Sequence, residues 1–399
     1  MSFAIDETAP MDLLRALVSM PSVNPGMDAD SAGEGAVGAL VANWARSEGF
    51  AVEIQEVLPG RSNVIVDLGL TGLPTLALVT HLDTVPFGQM TGRAQEVTVE
   101  DGKVYGRGAC DAKGSLAAML IALRALREHR RELKVNVVVA ALVDEEHTFQ
   151  GVLEYVRRLT PERRPMAAIV GEPTKLEVVI AHTGVLRFRL ETIGRAAHTS
   201  RPAEGINAIE KMTAVLAALR SAFAADRQDP HPLVGSATFT VAQIEGGIAP
   251  NVVPRSCTAV IDRRMIPGES GPSVLAWLER QLDIMRAADP DLRVVVHEPF
   301  VCSDTLETAG DAPIVTAALA ARAVALGPGR PIGVPFGTDG SKLSRQGGIP
   351  TIVLGPGDIA QAHTTDEWIE VSQLIQAVRL YVGCALGFDG AGLRSVVPW

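Results

Sequence analysis

Apolar positions along the chain switch between two spacings, and the switches mark its elements. In "MDLLRALVSM" (11–20) and "GAVGALVANWARSEG" (35–49) they recur at the three- and four-residue intervals that line one face of a helix. "NVIVDLG" (63–69), "PTLALVT" (74–80), "KVNVVVAALV" (134–143) and "MAAIVGEP" (166–173) are short β-like runs instead. A helical stretch, "AKGSLAAMLIALRALREH" (112–129), lies between two of them. Residues 9–182 therefore read as α/β with a largely parallel sheet, a design that gathers ligands at the carboxyl ends of its strands.

Near residue 183 the texture changes. "GVLRFRLETIG" predicts a strand, "EGINAIEKMTAVLAALRSAF" a helix, "SATFTVAQIEGG" and "NVVPRSCTAVIDRRM" two strands, "SVLAWLERQLDIMRAA" a helix and "LRVVVHE" a strand. That β-α-β-β-α-β order is the ferredoxin-like split βαβ arrangement. It predicts a smaller inserted domain at 183–298 and a discontinuous first domain, 1–182 and 299–399. The α/β texture returns with helix "APIVTAALAARAVAL", a Gly/Pro-rich stretch "GPGRPIGVPFGTDGSKL", strand "IPTIVLG" and a closing helix "VSQLIQAVRLYVGCAL".

Composition acts mainly by exclusion. The 399 residues suffice for two domains with their own cores. A formal charge of -10 disfavours nucleic acid and anionic membranes as partners, since both require clustered Lys and Arg, and leaves a small-molecule substrate. The scattered Cys110, Cys257, Cys302 and Cys384 suggest neither a disulfide framework nor a thiolate metal site. A reducing cytoplasm is the simplest expectation, because the acidic N-terminal stretch has no secretory pattern and no apolar run reaches membrane-spanning length.

The candidate chemistry sits just after apolar runs. "LVTHLDTVPFG" ends its run with His81 and Asp83, neighbours on one strand face. Asp111 lies in the Gly-punctuated "GRGACDAKG", Glu145 and Glu146 close "VVVAALVDEE", Glu172 ends "AAIVGEP", and His363 follows "TIVLGPG". Singly, these are ordinary: a structural hydrogen bond, an Asx-turn, a solvated strand end, a loop histidine. Together, at the ends of strands in one parallel sheet, two imidazoles and several carboxylates form an N/O donor set suited to zinc, cobalt or manganese, with room for a two-metal centre.

"HLDTVPFG", "GRGACDAKGSLAAML", "DEEHTFQG", "GEPT" and "LGPGDIAQAHTTDEW" together resemble the dinuclear zinc aminoacylase and carboxypeptidase family, which includes acetylornithine deacetylases, succinyl-diaminopimelate desuccinylases, aminoacylases and glutamate carboxypeptidases. The resemblance implies a zinc-peptidase-like catalytic domain with a mixed, largely parallel sheet plus an inserted lid and dimerisation domain. It implies two divalent ions, one on His81, Asp111 and Glu172 and the other on Asp111, Glu146 and His363, with Asp111 bridging. Asp83 would orient His81, and Glu145 would be the general base.

In the inserted domain the resemblance implies that His198 of "GRAAHTSRP" holds the oxyanion, reaching the other subunit of a homodimer. Asn251 of "GGIAPNVVP" and Arg264 of "DRRMIPG" would contact substrate, with Arg263 as competitor for the carboxylate clamp. Thr338 and Asp339 of "FGTDGSKL" are further candidate contacts. Cys110 and His147 depart from the usual pattern. The activity implied is hydrolysis of N-acyl amino acids, nearest to acetylornithine deacetylase. A di- or carboxypeptidase uses the same site, and a noncatalytic dimeric binding protein is the reading outside enzymology.

Overall fold

Strand Thr75–His81 lies in the middle of the first of two units. In the computed structural model, which describes residues 6–90, 96–226 and 229–389, this unit comprises Met1–Ile180, Glu307–Gly333 and Thr338–Trp399. Thr75–His81 pairs in parallel with Asn136–Leu142 on one side and with Ala167–Val170 on the other, and Thr351–Val353 continues the parallel set. Arg61–Asp67 and Ala51–Leu58 extend the sheet antiparallel. The sheet is thus mixed, with its parallel strands in the middle. Parallel strands point their carboxyl ends to one edge, which is why residues distant in sequence can meet there.

Such strands need cover on both faces, and Asn136–Leu142 is buried at every position. Helix Lys113–Glu128 packs on Thr75–His81 and Asn136–Leu142 and against helices Ala9–Val18 and Val371–Gly387, while Gly35–Ser47 packs on Arg61–Asp67. The start of Lys113–Glu128 comes so close to its own incoming loop that a Cβ at Gly114 would lie 2.5 Å from the Ala109 carbonyl oxygen.

Several elements escaped the spacing rules. Ala51–Leu58 is a mostly part-exposed edge strand without strict alternation. Gln150–Arg158 and Gly340–Arg345 are short helices, the latter inside the Gly/Pro-rich stretch. A small sheet of Thr98–Glu100, Lys103–Tyr105 and Trp368–Glu370 is too short to leave a periodic signal.

The second unit, Ala181–Leu306 with Val334–Gly337, contains an antiparallel sheet in the order Thr238–Gly246, Ser256–Met265, Gly184–Ile193, Arg293–Val296. Helices Ala208–Ala225 and Gly271–Ala288 complete the β-α-β-β-α-β order. Inward residues such as Leu186, Phe188, Ala259 and Ile261 meet Met212, Leu219 and Leu278 of the helices. Asn207 caps one helix by accepting from the N–H groups of Ile209 and Glu210, and Ser270 forms a capping box with Ser273 on the other. The unit runs past the expected 298, because Val301–Ser303 also pairs with Gly184–Ile193.

Candidate active site

Apart from Asp111, which lies in the loop before helix Lys113–Glu128, the donors end or follow the strands their sequence suggested. His81 ends Thr75–His81, Glu145 and Glu146 follow Asn136–Leu142, Glu172 follows Ala167–Val170, and His363 lies in the loop after Thr351–Val353. Asp111 stands between the two imidazoles: its Oδ1 is 3.1 Å from His81 Nε2 and its Oδ2 is 3.2 Å from His363 Nε2. Glu172 Oε1 is 3.9 Å from His81 Nε2, and Glu146 Oε1 is 2.9 Å from His363 Nε2. Two donor triads result, His81–Asp111–Glu172 and Asp111–Glu146–His363, each with its ligand atoms within 4.8 Å of one another. They share Asp111.

This donor set fits divalent cations. Glu172 Oε1 is buried and has no hydrogen-bond partner, the state of a ligand atom directed at an ion. Burial pushes the carboxyls of Glu145 and Glu172 well above the usual range, and their acidic neighbours add to the shift. The hydrogen bonds that His363 donates to the Asp111 and Glu146 carboxylates push the imidazole up to about 10. Burial would raise Asp111 too, but hydrogen bonds from His363 and His81 overcome it and hold the carboxyl below its ordinary value. Divalent ions would neutralise the repulsion among these acids.

The surroundings hold the donors in place. His81 Nδ1 lies 2.9 Å from the Asp83 carbonyl oxygen and 3.5 Å from its carboxylate, so the main chain is the nearer acceptor. A carbonyl can only accept, which puts a proton on Nδ1 and leaves Nε2 as the ring atom that faces the donor cluster and would coordinate an ion there. The Asp83 carboxylate instead accepts from the backbone N–H groups of Glu145 (3.1 Å) and Glu146 (3.0 Å). Sequence reasoning gave that carboxylate the task of aiming His81, beside which it lies; it also cradles the acidic turn. His363 has φ 59°, a left-handed conformation costly for a non-glycine residue.

The other candidates divide between the units. Thr338 and Asp339 are buried in the first, where Thr338 Oγ1 accepts from the Gly340 N–H. Burial raises Asp339 to about 7, and its Oδ1 has no hydrogen-bond partner. In the second unit, His198 and Asn251 sit on adjoining loops joined by the Thr199 N–H donating to the Asn251 carbonyl (3.1 Å). His198 Nδ1 accepts from the Ser200 N–H (3.1 Å), which leaves the ring proton on Nε2. Arg263 is buried, paired with Glu269 and stacked 4.9 Å from the Phe223 ring. Arg264, on the opposite strand face, is part-exposed and its Nε donates to Asp262 at 2.9 Å.

Residues 77–386 match the model of Peptidase family M20/M25/M40. The chain belongs to that family. An acetylornithine deacetylase of Proteus mirabilis is 32% identical over 384 residues, covering 94% of this chain and 95% of the relative. One of Photorhabdus laumondii is 31% identical over 372 residues, with 91% and 92% covered. The crystal structure of aminopeptidase PepT from Bacillus cereus superposes with a TM-score of 0.77 at 20% identity, covering 96% of this chain and 99% of that one, and shows a shared fold. This M20/M25/M40 protein is accordingly a metal-dependent hydrolase of amide bonds. Among the described residues, no helix is long and apolar enough to cross a membrane.

Two departures from the family pattern have a local steric account. Cys110 is buried against Gly357, where a Cβ would lie 2.5 Å from its sulfur. The exposed His147 ring occupies the space that a side chain at Gly26 would need. The residues that sequence reasoning missed support the donors. Glu367 accepts from the Cys110 and Asp111 N–H groups at 2.9 and 3.0 Å and pairs with Arg107 at 2.7 Å. Its only sequence signal is an acidic position shortly after His363. Buried Lys113 donates to the carbonyls of Leu17 (3.0 Å) and Met20 (2.8 Å).

Proposed function

We propose that this protein is an N-acyl-amino-acid amidohydrolase of the acetylornithine deacetylase type. The observation that carries the reading is the pair of donor triads sharing Asp111, beside Glu145. The residues would hold two divalent ions, zinc by donor chemistry with cobalt or manganese as substitutes, which supply an acidified water and a polarised amide carbonyl. Glu145 takes the proton of the attacking water and returns it to the leaving amine as the C–N bond breaks, giving a carboxylic acid and a free amino acid. His198 donates Nε2–H to the developing oxyanion, with Asn251 as a second contact. Arg264 clamps the substrate carboxylate. Thr338 and Asp339 bound the pocket from their buried positions.

The second unit serves as lid and homodimer surface. Supporting this, Thr238–Gly246 is an edge strand of largely exposed residues, with Ile244 53% and the nearby Ile248 85% exposed. A cytoplasmic setting accords with four free cysteines.

Turnover of N-acetyl, N-succinyl and N-formyl amino acids beside dipeptides, by zinc- or cobalt-loaded protein with a chelator control, tests the assignment. Chelator-sensitive hydrolysis strongest for N-acetylornithine is expected. Preference for dipeptides would reassign the protein to the exopeptidases of the family, and inactivity across the panel with metal bound would favour a binding role.

A further inference from the structure

The acidic turn that carries Glu145 and Glu146 is built on a strained residue. Asp144 has φ 68°, and this left-handed step lets the next two N–H groups converge on one acceptor, Asp83. A turn of that kind persists only if its surroundings over-determine it. The Asp144 side chain is gripped accordingly: Oδ1 accepts from Arg61 Nη2 (3.0 Å) and Asn24 Nδ2 (3.0 Å), and Oδ2 accepts from the Thr148 hydroxyl. Arg61 is in turn bidentate to Glu34, and Glu34 Oε1 accepts from the Asp144 N–H at 3.1 Å.

Asn24 closes the network. It is fully buried, and Nδ2 donates to Asp83 Oδ2 (2.7 Å) as well as to Asp144 Oδ1. The orientation of its carboxamide is settled locally, because Oδ1 accepts from the Gly26 backbone N–H at 2.9 Å. One amide nitrogen thus bridges the carboxylate that receives the turn's N–H groups and the carboxylate inside the turn. Neither an apolar residue nor a third carboxylate could do so without leaving buried acceptors unpaired or repelled.

We infer that Asn24 is a positioning residue for hydrolysis: by coupling Asp83 to Asp144 it holds the turn from which Glu145 and Glu146 project. The inference rests on the proposed role of Glu145 as base. Asn24 touches none of the donor atoms of the two triads. It acts on the rate through geometry, because small misplacement of a catalytic group can cost about 100-fold.

The test is a double-mutant cycle of Asn24→Leu with Glu145→Asp, assayed on N-acetylornithine and on dipeptides, with metal content and Tm measured for every variant. Asn24→Leu alone should lower kcat by about 100-fold with KM little changed and both ions retained. In the Glu145→Asp background its effect should shrink to a few-fold, since one misplaced base cannot be lost twice. Asn24→Ser, which keeps a shorter donor, should recover part of the rate and serves if the leucine variant does not fold. Multiplicative losses in the double variant, or losses reversed by excess zinc, would overturn the inference. Unaltered protein that turns over neither substrate class would instead remove the hydrolase reading beneath it.

Discussion

In the first unit, Asn136–Leu142 is buried at all seven of its positions, whereas in the second unit Ser256–Met265 alternates between buried and part-exposed positions along most of its length. The first pattern belongs to a strand covered on both faces, the second to a sheet packed on one face only. The difference locates the chemistry. Strands covered on both faces present polar groups freely only at their ends, and three parallel neighbours end together, which brings His81, Glu145, Glu146 and Glu172 to one edge. The half-open antiparallel sheet has a face and an edge to spare, and of its candidates His198 and Asn251 ride on loops while Arg264 projects from the strand Ser256–Met265.

The largest expected effect separates those two contributions. Glu145→Ala should lower turnover by about 10²–10⁴-fold while metal content stays near that of the unaltered protein; loss of both ions would mean that base and ligand have been confused. His198→Ala, in the other unit, should also retain both ions and cost about 10²–10³-fold, and an unchanged rate would remove it from the oxyanion site.

A matched pair probes the two sheets themselves. Val139, fully buried in the first, replaced by Thr places a hydroxyl among apolar neighbours and should cost about 1–3 kcal/mol in urea unfolding. Val295, 39% exposed in the second, should tolerate the same change within about 0.5 kcal/mol. Equal costs would erase the contrast.

Thiol labelling gives the smallest and finest test. Burial pushes the Cys384 thiol up to about 12, and Cys110 and Cys257 are also raised by burial, whereas Cys302 is exposed. Native protein at pH 8 should therefore take up a thiol reagent at Cys302 alone, and at all four cysteines after unfolding. Labelling of Cys110 in the folded state would show that the loop bearing Asp111 opens.

Much of the donor set was legible because its residues follow apolar runs that announce themselves locally. His81 and Glu172 could be placed at strand ends by counting, and the second unit's alternation predicted its strands to within a few residues. Ser256–Met265 began later than its apolar pattern because Pro254 has no N–H to give a ladder. The supporting shell left no such mark. Asn24, Arg61 and Glu34 lie in unrelated stretches and are joined only by hydrogen bonds across 27 to 120 residues of chain.

By itself the sequence determined most of the longer strands and helices and the polar groups that terminate them, because periodicity and turn chemistry act over a few neighbouring residues. Only the tertiary structure decided that Asp111 faces both imidazoles, that the Asp83 carboxylate holds the acidic turn while its carbonyl accepts a hydrogen bond from His81 Nδ1, and that Arg263 is bound in the core while Arg264 lies part-exposed on the other face. Those choices depend on directions and distances of a few ångströms between residues far apart in the chain, and hydrogen bonds and ion coordination are sensitive to both.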